Sequence, residues 1–519
     1  MTTILNFCLF LIPLCFLNLS TNIFVVSSGY CPTHQESSLL HLKNSLLFNP
    51  TKSKKLVHWN QSYDYCRWNG IKCSEGRVIA LDLSGESISG RIDASSSLFD
   101  LQSVQNLNLA YNDLKGQIPE SFVSLTNLTT LQLSNCNLSG VFPTKIFQIP
   151  NLQVLDISDN QDLHGSLPNF PHHGSLQILN ISHTSFSGEL PYSIHNLRKL
   201  STLDLSNCRF NGTIPSSISE LTHLVHLDLS DNYFTGLLPS FNKSMSLSYL
   251  SLFQNDLRGE ITSHFEGLEN VTTIDLASNS LNGTIPLSLF TIPSLQKLML
   301  SSNRFEGLLD EFPNASSSTL EMLDVSGNNL QGPIPVSIFH LRRLRFLQLA
   351  FNKFNGTIHL DLVGRMENLA VLDLSHNNLL VDANLRENHE LSFFPKLSIL
   401  RLVSCKLREF PSFLRNRSAL RELDLSDNHI HGAIPSWIWS FNGTIPKCLI
   451  TRMSSTLRAL NLGGNNFRGQ ISDTFSTSCA LRILDLNENF LGGTIPESLA
   501  NCQKLQVLNL GNNQLFDRL

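Results

Sequence analysis

Charge is scarce in this chain. Lys, Arg, Asp and Glu make up 15% of its 519 residues and leave a formal net charge of -5. Without a basic field to gather phosphates, nucleic acid is not an expected partner. Long apolar runs are scarce too. Past the N-terminus no stretch reaches the ~18–20 apolar residues that a membrane helix needs, so no later span is expected. Catalytic signatures are missing: there is no H-E-x-x-H, no G-x-S-x-G, no G-x-x-x-x-G-K-[ST] and no kinase motif. The expectation is a protein with no catalytic residue, no metal and no cofactor. His172-His173 reads as solvated loop surface.

What the chain has in abundance is repetition. Ile274–Pro286 reads IDLASNSLNGTIP, and Leu203–Pro215, Leu423–Pro435 and Leu484–Pro496 are close copies. Phased on the first residue of L-x-L, eighteen copies begin between Leu81 and Leu508, most of them 24 residues apart. Such a period predicts a solenoid that grows by stacking units on one continuous core. The alternating L-x-L turns its leucines inward and its intervening residues outward, as in a short strand. Stacked, these strands make a parallel sheet on the concave side. The fold class is an α/β repeat solenoid with a parallel concave sheet and a stapled N-terminal cap.

Other positions of the unit also have physical duties. An Asn follows each strand (Asn232, Asn279 and Asn428 among them) and is expected to bond backbone groups of its own and the adjacent repeat as a buried ladder. Cys136, Cys208 and Cys405 replace it in three copies and read as buried thiols. The Asp of L-D-L recurs once per repeat, which makes it a scaffold column and not a catalytic pair. In G-x-I-P the Gly permits a bend and the Pro withholds a donor that an edge would leave unpaired.

The flanks differ. Ile4–Leu19 is apolar apart from Asn6, Asn18 and the breaker Pro13, Ile23–Val26 is a second short apolar run, and Ser27-Ser28-Gly29 follow, so residues 1 to about 29 read as a signal peptide. Sequons agree with secretion. They occur at Asn60, Asn127, Asn137, Asn180, Asn211, Asn242, Asn270, Asn282, Asn314, Asn355, Asn416 and Asn442. Residues 30–74 are not repetitive and form a cap, with a helix over His34–Phe48 that ends at Asn49-Pro50. Cys66 and Cys73 are expected to staple the cap beside Trp68. Repeats fill 75–519.

The segment Cys66-Arg-Trp-Asn-Gly-Ile-Lys-Cys73, after a helix and Trp59-Asn60 and before Val78-Ile-Ala-Leu-Asp-Leu-Ser84, resembles the cap of plant extracellular leucine-rich-repeat receptors. The L-x-G-x-I-P unit resembles the plant class of leucine-rich repeat. The tail from Ser454 is similar to the Verticillium-wilt resistance type of receptor-like protein. In such proteins a Cys-Cys pair commonly stands where this chain has Tyr65-Cys66, which leaves Cys31 without its usual partner. The resemblance implies an immune ectodomain at the extracellular face of the plasma membrane. It implies a pathogen-derived or apoplastic protein or peptide as ligand, and receptor kinases as partners. A secreted inhibitor of a pathogen cell-wall-degrading enzyme and a developmental peptide-hormone receptor ectodomain are the competing readings.

Two places break the rhythm. Between Leu372 and Leu400 the step is 28 residues, with an irregular stretch at 380–399. At 432–449, Gly432–Pro435 is followed only 11 residues on by Gly443–Pro446, two outer halves with no strand half between them. An internal deletion near Ser440 is expected, against the alternative of an irregular turn. The chain also stops inside a repeat, with no membrane helix, and so reads as a truncated or partial form.

The ligand should meet concave positions that carry no core duty. Most hold Asp, Asn, Thr, Ser or Gln. The exceptions are His226, Tyr249, Phe253, Lys297, Arg345, Phe346, Gln348 and Phe351, with Met299 beside them and Arg401, Arg421, Arg458 and Arg482 as a basic file further on. Aromatic rings flanked by Arg are what interface hot spots are made of. Strands ~4.8 Å apart would put Tyr249 and Phe346 ~20 Å apart, which suits an extended or protein-sized ligand.

Overall fold

The computed structural model describes residues 33–172, 174–261, 264–364, 366–382, 396–416, 419–440 and 457–516. The signal peptide, Cys31, His173, the Asn442 sequon, residues 383–395 of the first irregular stretch, residues 441–449 of the second and residues 450–456 after it lie outside them, as does the side chain of Asn416.

The L-x-L segments form one ladder of short parallel strands, in register repeat by repeat. Leu81 sits beside Leu107, Leu107 beside Leu131 and Leu131 beside Leu155. The same pairing carries on through Leu484 and Leu508. The leucines of the ladder are almost all fully buried, and each contributes roughly 1.5–3 kcal/mol of transfer free energy. Across the junction the strand Glu422–Asp424 pairs directly with Ala459–Asn461, so the concave ladder runs on unbroken there.

The asparagine ladder forms as the repeat pattern predicts. Asn160 is completely buried. Its Nδ2 donates to the carbonyls of Leu133, Ile157 and Ser158, and its Oδ1 accepts from the amides of Cys136 and Leu138 in the preceding repeat. Cys136, Cys208 and Cys405 are buried free thiols in this slot, and each donates to a carbonyl of the preceding repeat. Thr184 fills the slot in another copy through its hydroxyl, a replacement the pattern did not flag.

Two features differ from expectation. The segments around the Gly of G-x-I-P are not plain bends. They form a second set of short parallel strands, such as Arg209–Thr213 beside Tyr233–Leu237. Gly212 and Gly236 there have φ of 72° and 83°, and their positions are crowded by Glu189 and Thr213 of the repeat before, so a side chain would be strained and obstructed. After most of these prolines the outer side is a single 3-10 turn, such as Ser216–Glu220, and not an α-helix; after Pro168 and Pro239 it is irregular. The longest run of the second set ends at Asn378–Asp382, where the sequence rhythm breaks.

The cap closes the N-terminal end. Its α-helix spans Thr33–Ser45 and stops short of the expected end, because Leu47–Phe48 instead pairs antiparallel with Ser89 and Ile88. Cys66 and Cys73 are joined, Trp59 stacks on Trp68 at 5.3 Å, and the strand Ile71–Ser74 joins the concave sheet antiparallel to Arg77–Asp82. Glu86 locks cap to repeats. It is 1% exposed and accepts from the Ser53 hydroxyl and from the amides of Lys54, Lys55 and Leu56.

A second disulfide, Cys479–Cys502, ties two adjacent repeats. Its signal lay in the sequence unused: the two cysteines are 23 residues apart, close to one period, and so stand one above the other. Among the described residues no helix is long and apolar enough to cross a membrane.

Candidate ligand-binding face

Register fixes three columns of side chains on the concave face. The first holds the residue before the leading leucine: Thr202, His226, Tyr249, Thr273, Lys297, Met322 and Phe346 in successive strands. The second holds the residue between the leucines: Asp204, Asp228, Ser251, Asp275, Met299, Asp324 and Gln348. The third is the turn residue after the strand, which is left-handed in repeat after repeat, as at Asp231, Gln254, Ser278, Ser302 and Phe351.

The structure gathers the expected residues into two groups. In the first, His226 and Tyr249 stack with ring centroids 4.4 Å apart and planes 9° from parallel. The Tyr249 hydroxyl donates to Asp228 at 3.4 Å. Burial and then the Asp228 carboxylate hold the Tyr249 hydroxyl above the usual phenol range. Phe253 occupies the slot that Ser230 and Ser206 fill in neighbouring repeats and is half-buried. In the second group the Arg345 guanidinium lies over the Phe346 ring at 5.7 Å and within 4.0 Å of Glu321. Gln348 stands in the next column. Phe351 is 60% exposed and stacks on His376 at 4.3 Å. Lys297, exposed, lies between the groups. Tyr249 and Phe346 are four ladder steps apart, or ~19 Å.

Phe351 has φ of 54°, a conformation that a bulky residue adopts at a cost. His376, its stacking partner, was missed from sequence. Nothing in a one-dimensional pattern marks a His in a turn slot, but its column does, once register is known.

The Asp column has the scaffold role expected of it. Asp204 and Asp228 each accept through Oδ1 from the amide and hydroxyl of the Ser two residues on. Asp275 has Ala277 in that place and keeps only the amide bond. Burial, with Asp228, Asp324 and Asp231 nearby, pushes its carboxyl up to about 6. The basic file needs correcting. Arg401 belongs to the between-leucine column, where it is bound by Glu422 at 2.7 Å and Asp373 at 3.5 Å. It braces the sheet. Arg421, Arg458 and Arg482 stand exposed two residues before the leading leucine, outside that column.

Comparison with known proteins agrees with this architecture. A model described as "Leucine-rich repeat region" matches residues 133–424, and one described as "Leucine rich repeat N-terminal domain" matches 32–74. Receptor-like protein 49 of Arabidopsis thaliana is 38% identical over 466 residues, which is 87% of this chain and 48% of that protein. The chain belongs to the plant leucine-rich-repeat receptor-like proteins. It spans about half the length of the curated relatives that it matches along most of its own length.

Among solved structures, the Arabidopsis receptor kinase HAESA, in complex with the peptide hormone IDA and the co-receptor SERK1, is similar at TM-score 0.66 and 26% identity, over 93% of this chain and 86% of that one. The ectodomain of GASSHO1/SCHENGEN3 from Arabidopsis thaliana, in complex with CASPARIAN STRIP INTEGRITY FACTOR 2, is similar at TM-score 0.71 and 28% identity, over 92% of this chain and 64% of that one. Family membership is that of non-catalytic repeat scaffolds, which fits a face built of stacked side chains.

Proposed function

We propose that this chain is the extracellular ligand-recognition region of a plant immune receptor-like protein. It binds a pathogen-derived or apoplastic protein or peptide on its concave face and acts with partner receptor kinases. One observation carries the reading. The column before the leading leucine holds His226, Tyr249, Lys297 and Phe346, three rings and a cation, where the same column holds Val154, Ile178 and Thr202 before them and Val371 and Ile399 after. A column of that kind gives an extended ligand ring faces and cations at fixed intervals, and buried aromatic and Arg anchors supply most of the energy at interfaces. The tail's likeness to the wilt-resistance type supports the immune assignment.

The second reading, a receptor ectodomain for a developmental peptide hormone, is favoured by structural neighbours such as HAESA, which is in complex with a peptide hormone and a co-receptor. Changing Tyr249, Phe253, Phe346 and Phe351 together to Ala should abolish the elicitor response of plants carrying the receptor while leaving its secretion intact. An unchanged response would place the site elsewhere.

A further inference from the structure

Asn180 differs from the other sequons whose side chains are described. Asn60, Asn127, Asn137, Asn211, Asn242, Asn270, Asn282, Asn314 and Asn355 are exposed on loops, turns or strands of the second set. Asn180 lies in the concave ladder itself, between the leucines, in register with Asp156 on one side and Asp204 on the other. Its Oδ1 accepts from the amide of Ser182 at 3.1 Å and from its hydroxyl at 2.8 Å. Asp156 makes the same pair of bonds to Ser158 at 3.1 and 2.7 Å. Where this slot holds Asp or Asn, the turn uses one side-chain oxygen and is indifferent to the second atom. What Asn brings to this slot and Asp would not is Nδ2.

That nitrogen is unused. Among the described residues it has no hydrogen-bond partner. Of the other asparagines in this slot, Asn461 and Asn509 donate Nδ2 to Asp424 at 3.3 Å and to Asp485 at 3.1 Å, while Asn108 leaves its own free among the described residues but stands in no sequon. Other sequon asparagines also have a structural reason to be there. Asn127 and Asn270 donate to carbonyls of the preceding repeat at 2.9 Å, as does Asn368, which is in no sequon. On one side of Asn180, the column before the leading leucine is low. Val154, Ile178 and Thr202 make up the adjacent column, with no aromatic or long side chain among them.

We propose that Asn180 carries an N-linked glycan that stands on the concave face and closes it off on the N-terminal side of the aromatic rungs. In the transfer, Nδ2 bonds to the anomeric carbon of a lipid-diphosphate oligosaccharide. The carbon–oxygen bond to the diphosphate breaks, the lipid diphosphate leaves, and the amide gives up one proton. Nδ2 keeps its other hydrogen and Oδ1 keeps both bonds from Ser182, so the turn is undisturbed. The sugar occupies the low patch over Val154, Ile178 and Thr202. Ligand contact is then confined to the rungs from His226, the first large ring, onward. This consequence rests on the extracellular, ligand-binding reading above; the glycan itself is read without any ligand.

The test uses the whole chain secreted from plant cells. Glycans are released with an amidase active on plant glycans in heavy-oxygen water, which converts each formerly glycosylated Asn to labelled Asp. Mass spectrometry should find the label at residue 180. An unlabelled Asn180 beside labelled Asn211 and Asn282 overturns the proposal and leaves Asn180 as a neutral spacer between Asp156 and Asp204. The variant Asn180→Asp keeps the oxygen that accepts from Ser182, so it should still be secreted while losing the mass of one glycan. No loss of mass overturns the proposal. Variants at Tyr249 or Phe346 leave this mass unchanged, so failure of the ligand site and failure of the glycan are told apart.

Discussion

Single residues of the concave face carry both the scaffold and the proposed site, and the two duties pull against each other. Phe351 occupies a left-handed turn position that Gly327 fills in the repeat before it. The change Phe351→Gly should relieve strain and raise stability by up to about 1 kcal/mol, while removing a ring exposed for contact. Denaturant unfolding beside a response assay checks both halves; a loss of stability would mean the His376 stack outweighs the strain. Asp275 is the converse case, a carboxyl held high by burial first and by its acidic neighbours after that. Its folded value of about 6 lies above the ordinary 3.8. The folded state therefore binds the proton more tightly, and its contribution to stability fades as pH rises from about 4 to about 6. The change Asp275→Asn should raise the melting temperature near pH 7 and make little difference near pH 4; equal shifts at both would count against the burial argument.

At the scale of elements, the repeat unit was legible because each of its letters answers to one physical demand. L-x-L alternates because the strand does, and Asn recurs because the turn buries polar backbone. The second set of strands was not legible. The segment N-G-T-I has turn residues by composition, and only stacking against a copy of itself turns it into a ladder. Tertiary pairing likewise overrode helical spacing at Leu47–Phe48. The joint between cap and repeats rests on Glu86, which the unit pattern passes over because it stands in an Asn slot. Burial pushes its carboxyl up, but the bonds from Ser53, Lys55, Leu56 and Lys54 outweigh that and hold it below the usual range. Its contribution is thus present above the unfolded value and is lost as pH falls through the lowered one. The change Glu86→Ala should leave buried amides unpaired, cost about 2–4 kcal/mol at the cap, and speed hydrogen exchange at Lys54, Lys55 and Leu56 before the central repeats are affected. Uniform loss of protection along the chain would refute a local joint.

At the scale of the molecule, stability is a sum of neighbouring contacts, and each break in rhythm weakens a stretch, not the whole. The last repeats are held by Cys479–Cys502, which closes a loop of 23 residues and should contribute about 3 kcal/mol by chain entropy. Replacing both cysteines by Ala should unfold the C-terminal repeats first and leave those near the cap standing, as stepwise limited proteolysis would show; one cooperative loss of the whole chain would oppose it. The fold was almost entirely readable from period and patterning. The face was readable only in part, because exposed letters obey no repeat rule and gain meaning from register alone. Register put His226 beside Tyr249, added His376 to the site, and removed Arg401 from it. That the ligand lies across these rungs is the central claim, and Lys297 offers a direct test, since its exposed amine stands between the two ring clusters. The secreted chain, mixed with apoplastic fluid from challenged leaves, is treated with an amine-reactive cross-linker and read by mass spectrometry. Cross-links from Lys297 to a foreign peptide, lost in the Tyr249, Phe253, Phe346 and Phe351 to Ala variant, are the expected result. Cross-links confined to lysines of the outer side, such as Lys145 and Lys243, and unchanged in that variant, would contradict it.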